Sequence, residues 1–313
     1  MTESQNRRAV IDIGTNSVKL LVADVVQDRV DPVWERGQQT RLGEGFYDSQ
    51  TLQPEAIERT LQAVDAFKQR AEELGTDSIR IVATSATRDA SNGSELTGAI
   101  ARQVGVNVET LPGKTEAEWS FRGAMTAPGL ADRAAMVIDV GGGSTEFIVG
   151  SNGHLEWSES FALGTVRWLE QSRPANPPAE GALQRSRDSI DAFLLDNVTS
   201  KLNPHLERIR DVSPEMVGVG GTFGILARME LQTEEFDRER IEAVRLAPAA
   251  VTRWAERLWS MTFEERGKLP GLPPERADVM LIGIVIIERI LRAFGFEELR
   301  PSLRGLRFAA LMK

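Results

Sequence analysis

The sequence predicts an α/β protein made of two related domains built on mixed β-sheets. Three observations carry this. The first is an internal echo: Val10-Ile11-Asp12-Ile13-Gly14-Thr15-Asn16-Ser17 returns as Val137-Ile138-Asp139-Val140-Gly141-Gly142-Gly143-Ser144, at an offset of 127 residues for the acids and the serines alike. The second is that each copy reads as a buried strand, a turn of small residues and a second strand. The second strands cover 18–26 and 145–149, followed by turns at Gln27-Asp28 and Ser151-Asn152-Gly153; Asn-Gly tolerates the positive φ of a tight hairpin. The third is that strand-like and helix-like segments then alternate, the mark of α/β architecture. The length of 313 residues agrees with about two domains at ~150 residues each. Two copies make a duplication, not a solenoid.

The elements follow in order. Residues 54–74 place Ile57, Leu61, Val64, Phe67 and Leu74 near helical spacing, with Pro54 at the start and Gly75 past the end. Residues 78–84 read as a strand, 94–103 as a helix, 106–110 as a strand and 115–125 as a helix. Ala127-Pro128-Gly129 is a breaker just before the second copy, which sets the domains at 1–126 and 127–313. A helix begins over 164–170, a Pro- and Ala-rich loop covers 172–181, and 182–202 is a long amphipathic helix. A short strand at 216–219 runs into Gly220-Gly221-Thr222, and 248–261 and 276–294 are helices.

Composition removes several function classes. Lys and Arg number 37 against 46 Asp and Glu, a net charge of −9, so a broad basic track for nucleic acid is excluded. A phosphate-rich ligand must then be met locally, by a few arginines, backbone amides or a metal. With no cysteine there is no disulfide, thiolate zinc site or cysteine nucleophile, and two histidines cannot build a histidine-rich metal centre. The apolar run 279–287 is far short of the ~20 residues of a membrane span, and the polar residues 1–8 lack a signal core. Neither nucleic acid nor membrane is an expected partner, and the cytoplasm is the expected compartment.

The two turns point to phosphate. Successive backbone N–H groups in a turn of small residues form an anion nest. A carboxylate beside it repels phosphate, so Asp12 and Asp139 suit a Mg²⁺ ion, held directly or through water. Glu146, across the turn from Asp139, could return to the same ion. One glycine turn after a strand usually marks only tight geometry; the repeat, with an acid at the same place in each copy, favours a phosphate clamp.

Asp12–Ser17 and Asp139–Glu146 resemble the two phosphate motifs of the exopolyphosphatase / guanosine pentaphosphate phosphohydrolase (Ppx/GppA phosphatase) family. Further blocks match in order: Arg41-Leu-Gly-Glu-Gly-Phe46, Ala83-Thr-Ser-Ala-Thr-Arg-Asp-Ala-Ser-Asn92, Gly113-Lys-Thr-Glu-Ala-Glu-Trp119, Leu163-Gly-Thr-Val-Arg167, Gly218-Val-Gly-Gly-Thr222, Glu275-Arg-Ala-Asp278 and Ser302-Leu-Arg-Gly-Leu-Arg307. They span nearly the whole chain, which is similar to the short, two-domain members. The resemblance implies two ribonuclease H-like (actin/sugar kinase-like) domains of mixed sheets flanked by helices, with the active site in the cleft between them.

The resemblance also implies the roles. Glu116 is the base that orients or deprotonates a water, although by position alone it reads first as a first-turn helix acid; Glu118 lies on another face of the helix. Asp139 and Glu146 are the metal pair, for Mg²⁺ or Mn²⁺, with Asp12 as a partner through water. Gly14, Thr15, Asn16 and Ser17, with Gly141, Gly142, Gly143 and Ser144, supply phosphate donors. Ser85 and Arg88 are further phosphate contacts, Arg88 by a bidentate fork; Arg41 and Arg167 are weaker candidates. The expected function is an exopolyphosphatase releasing orthophosphate from inorganic polyphosphate. Hydrolysis of guanosine pentaphosphate (pppGpp) at the same site stays open, followed by an actin-fold kinase and a non-catalytic phosphate sensor. A homodimer is left open.

Overall fold

The structure, a computed structural model, describes residues 6–312. It divides into two compact units, Met1–Gly123 with Leu306–Lys313, and Ala124–Gly305.

The first unit carries a five-stranded sheet of β1 (Asn6–Ile13), β2 (Ser17–Val26), β3 (Arg29–Gln39), β4 (Ser78–Ala83) and β5 (Val108–Thr110), ordered β3-β2-β1-β4-β5. The β1–β2 and β2–β3 pairs are antiparallel; β1–β4 and β4–β5 are parallel. Both faces are buried. Ala9, Ile11 and Ile13 enter one core, under the helix Pro54–Glu73, and Val10 enters another with Trp119. Side chains alternate faces along a strand, so a strand covered on both sides reads as an unbroken apolar run. This explains Ala9 to Ile13, and it makes the acid at Asp12 stand out.

The last helix, Leu306–Met312, belongs to this first unit, not to the second domain as the 127–313 division has it. Leu306, Phe308, Ala309, Ala310 and Leu311 complete the Val10–Trp119 core. Arg8 and Arg80 donate to the carbonyls of Leu311 and Ala310 at 2.8 and 3.0 Å. A breaker motif marks where one unit stops; it cannot show that the chain later returns.

Across β1 and β2, Arg7 faces Asp24 and forks onto it at 2.8 and 3.1 Å. That hydrogen-bonded guanidinium holds the Asp24 carboxyl below its ordinary value. The associated stability is complete above the unfolded carboxylate range and is lost as pH falls through the folded value. Asp24→Asn should therefore lower the melting temperature at pH 7. The difference from wild type should shrink as melts are repeated below pH ~4; a difference that stays constant with pH refutes the assignment.

The second unit repeats the plan. Its strands are β6 (Ala135–Val140), β7 (Thr145–Ser151), β8 (His154–Phe161), β9 (Glu215–Val219) and β10 (Leu299–Ser302), ordered β10-β9-β6-β7-β8. Read from the β8 edge, this is the order of the first sheet, with the same mixture of antiparallel and parallel pairs. Asn152 and Gly153 both take positive φ, 50° and 73°, as the hairpin signal requires. The helix Val279–Phe294 is buried along nearly its whole length, which accounts for its apolar run. No helix among the described residues is long and apolar enough to cross a membrane. The amphipathic stretch expected over 182–202 instead continues to Ile209, through a π-helical segment at Leu194–Thr199 and past Pro204.

Candidate active site

In the first unit, three motifs far apart in sequence meet at the carboxyl ends of parallel strands. The register pairs Asp12 with Val82 and Ile13 with Ala83, and the Thr84 amide donates to the Ile13 carbonyl at 3.2 Å. The Leu111 amide donates to the Ala83 carbonyl at 2.9 Å, which sets the start of the helix Gly113–Met125 at the same edge. The Gly14 turn, the short helix Ser85–Asp89 and Glu116 thus share the place where α/β sheets bind ligands.

The first turn closes through Gly14 N–H to the Ser17 carbonyl at 3.0 Å. The segment after β3 then wraps it: the Thr40 and Arg41 amides donate to the Asn16 carbonyl and the Gly43 amide to the Thr15 carbonyl. Thr15, Asn16 and Ser17 are buried. The Asn16 side chain, 6% exposed, accepts from Gln39 at 3.1 Å through Oδ1, and its Nδ2 is buried without a hydrogen-bond partner. A buried orphan donor is costly, and an arriving phosphate oxygen would satisfy it.

Glu116 is 8% exposed, in the first turn of its helix, where the helix dipole favours its negative charge. Arg88 Nη1 donates to Glu116 Oε2 at 2.8 Å and to the Leu111 carbonyl at 3.0 Å, and its Nε to Asp89 at 3.2 Å. Arg88 therefore grips the carboxylate, a contact beyond the phosphate fork that the sequence led us to expect. Ser85, also expected on phosphate, donates to Asp89 at 3.2 Å. Position in the chain cannot reveal such pairing, because Arg88 and Glu116 meet only through the β4–β5 register.

The second unit carries the matching turn. Gly141 N–H donates to the Ser144 carbonyl at 2.9 Å, as Gly14 does to Ser17. The helix Thr165–Ser172 holds it from behind: the amides of Thr165, Val166 and Arg167 donate to the Gly141 and Gly142 carbonyls, and Arg167 Nε to the Gly143 carbonyl at 2.9 Å. The Thr145 hydroxyl donates to Leu163. Asp139 and Glu146 face each other directly across β6 and β7. Glu146, 1% exposed, accepts from the hydroxyls of Ser144 and Ser160 at 2.7 and 2.6 Å. Gly220, at φ 92°, leaves room for Asp139: a Cβ there would stand 2.7 Å from the carboxylate. Arg276, quoted in the sequence only as part of a motif, lies over Gly221, its Nη2 3.5 Å from where a Cβ would be.

No three His, Asp or Glu side chains among the described residues gather to hold a cation by themselves. The opposed pair of Asp139 and Glu146 fits Mg²⁺ all the same, because that ion keeps several waters and uses one or two carboxylates plus substrate phosphates.

The sequence profile of the Ppx/GppA phosphatase family matches residues 21–312. The chain belongs to the Ppx/GppA phosphatase family. Among its relatives, Exopolyphosphatase 2 of Mycobacterium tuberculosis H37Rv is 31% identical over 310 residues, 95% of this chain and 94% of the relative. A bifunctional 3-dehydroquinate synthase/phosphatase of Fusobacterium nucleatum is 29% identical over 299 residues, 92% of this chain and 43% of that protein. Among solved structures, an exopolyphosphatase from Cytophaga hutchinsonii superposes with a TM-score of 0.84 at 28% identity, covering 98% of this chain and 96% of the other. The Aquifex aeolicus Ppx/GppA family member gives 0.76 at 28% identity, with 98% and 96% covered. In this Ppx/GppA chain, the repeated sheet order and the repeated Gly-to-Ser turn closure are the structural counterparts of the motifs read in the sequence.

Proposed function

We propose that this Ppx/GppA chain is an exopolyphosphatase: water attacks the terminal phosphorus of inorganic polyphosphate, the bridging P–O bond breaks, and orthophosphate leaves. The observation that carries the reading is Glu116, a buried carboxylate held by Arg88 at the strand ends that also bear the Gly14–Ser17 turn. Phosphoryl transfer asks a protein mainly for positioning and charge stabilisation. Glu116 takes the proton of the attacking water. Arg88 fixes the carboxylate's direction. The Asn16 amide, the turn N–H groups and the Ser17 hydroxyl bind phosphate oxygens, while the Ser144 hydroxyl, donated to Glu146, orients that carboxylate. Asp139 and Glu146 would hold Mg²⁺ or Mn²⁺, which supplies charge neutralisation on the phosphate oxygens when bound.

The test is phosphate release from short polyphosphate, long polyphosphate, guanosine pentaphosphate and ATP, side by side with Mg²⁺. Release from polyphosphate is expected. Release from guanosine pentaphosphate alone would move the assignment to that substrate, and turnover of ATP only with an acceptor would replace it by a kinase. Asp139→Ala should shift the Mg²⁺ titration to higher concentration; an unchanged titration removes the residue from metal binding. Arg88→Met should lower kcat by ~10-fold or more with little change in KM, and Arg88→Lys should recover part of the loss, since loss of one hydrogen bond to a charged group is worth about 1.5–3 kcal/mol. A rise in KM with normal kcat would return Arg88 to phosphate binding.

A further inference from the structure

Two surface cavities of the second unit are lined by residues outside its phosphate turn, and a tryptophan lining separates them. The larger, about 530 Å³, is lined by Arg187 and Arg289. Each of these arginines forks onto a carboxylate, Arg187 on Glu288 at 2.6 and 2.8 Å and Arg289 on Asp191 at 2.6 and 2.7 Å. Those two charges are answered, but Arg292 also lines this cavity, so charge alone does not set it apart from the smaller one, which differs in its tryptophan lining.

The smaller cavity, about 440 Å³, is lined by Trp168, Gln171, Arg173, Arg185, Ser189 and Trp259, among others. Arg185 donates to the Glu180 carbonyl at 3.3 Å, and no carboxylate pairs with it among the described residues. Both indole N–H groups are in use, Trp168 to the Ala162 carbonyl at 3.3 Å and Trp259 to the Leu281 carbonyl at 2.8 Å. Trp259 is buried in the core, so it is the partly exposed ring of Trp168, packed edge-on against Phe193, that offers stacking surface rather than a hydrogen bond, next to an uncompensated cation. Stacking surface, a guanidinium and a serine hydroxyl in one cavity of this size suit a planar ring that bears an anionic group.

We propose that this cavity binds a nucleoside monophosphate or a closely similar phosphate-bearing aromatic, with the ring against Trp168 and the phosphate on Arg185. The site also has a route to the phosphate turn. The helix Thr165–Ser172 contributes Trp168, Gln171 and Ser172 to the cavity, while its first turn holds the Gly141, Gly142 and Gly143 carbonyls. A rigid helix of eight residues, roughly 12 Å long, joins the two. Occupancy therefore alters how the turn takes phosphate. This coupling rests on the proposed function; the binding does not.

The test titrates the full chain with adenosine and guanosine 5′-monophosphates, followed by tryptophan fluorescence, and measures KM for polyphosphate with and without nucleotide. Expected are saturable quenching, at least ~10-fold weaker binding in Arg185→Glu, lost amplitude in Trp168→Phe, and unaltered quenching in Ser144→Ala. KM should change at least ~2-fold in wild type and not in Arg185→Glu, with basal rates of the two cavity variants unchanged. The site is overturned by absence of saturable quenching, by equal affinity in Arg185→Glu, or by inorganic phosphate competing as well as nucleotide. Binding with no change in KM overturns the coupling. Because quenching needs no turnover, a chain inactive on every polyphosphate would still decide the binding.

Discussion

Glu116→Gln should lower kcat on polyphosphate by at least ~100-fold, the scale of a positioned general base. The substitution keeps the shape and an oxygen for Arg88, so binding and stability should change little and the loss should appear in kcat. The carboxamide cannot take the proton from water, and it no longer opposes the Arg88 charge 2.8 Å away. Arg88 retains the Leu111 carbonyl and Asp89, so the turn should stay in place. The decisive measurement is the saturated rate of the variant with an unchanged melting temperature. Near-normal turnover would remove Glu116 from the role of base.

Gly164→Ala is the second large effect, at a residue outside the proposed phosphate contacts. A Cβ there would stand 2.3 Å from the Gly142 carbonyl oxygen and from the Gly143 carbonyl carbon. These are backbone atoms, so no side chain can swing away and the turn itself must move. Overpacking of this kind costs about 1–3 kcal/mol. A displacement of ~1 Å in a positioning element can cost about 100-fold in rate. The variant should fold with a lower melting temperature and lose phosphate release by that order. Gly37→Ala is the control, since its Cβ would meet Lys19 at an ordinary 3.6 Å. Wild-type stability and rate in Gly164→Ala would show that the second turn does not position substrate.

Much of the fold was legible because its signals are local. The helix expected over 54–74 forms as Pro54–Glu73, its start set by Pro54 and its end by Gly75 at φ 72°. The strand expected over 78–84 forms as Ser78–Ala83. Three strands carry no clear local signal, nor do several helices, Gly221–Leu231, Arg238–Ala243 and the last helix among them. β3, Arg29-Val-Asp-Pro-Val-Trp-Glu-Arg-Gly-Gln-Gln39, is a sheet edge with Pro32 and largely polar residues, so its apolar alternation is weak. β8 is likewise an edge, and β10 spans only four residues. Of the candidate site, the turn residues and their acids were visible, whereas the partner of Arg88, the brace at Arg167 Nε and the placement of Arg276 over Gly221 were not.

The sequence by itself determined the two glycine turns, the acids at their strand ends and the glutamate opening the helix Gly113–Met125. Each depends on backbone conformations set by a few adjacent residues, and the repeat at 127 residues marks them as one device used twice. Only the tertiary structure decided that Arg88 pairs with Glu116, that Gly164 and Gly220 must lack a side chain, and that the last helix returns to the first unit. Those facts depend on which strands lie side by side and in what register, and contacts between segments tens to hundreds of residues apart leave no local periodicity to read.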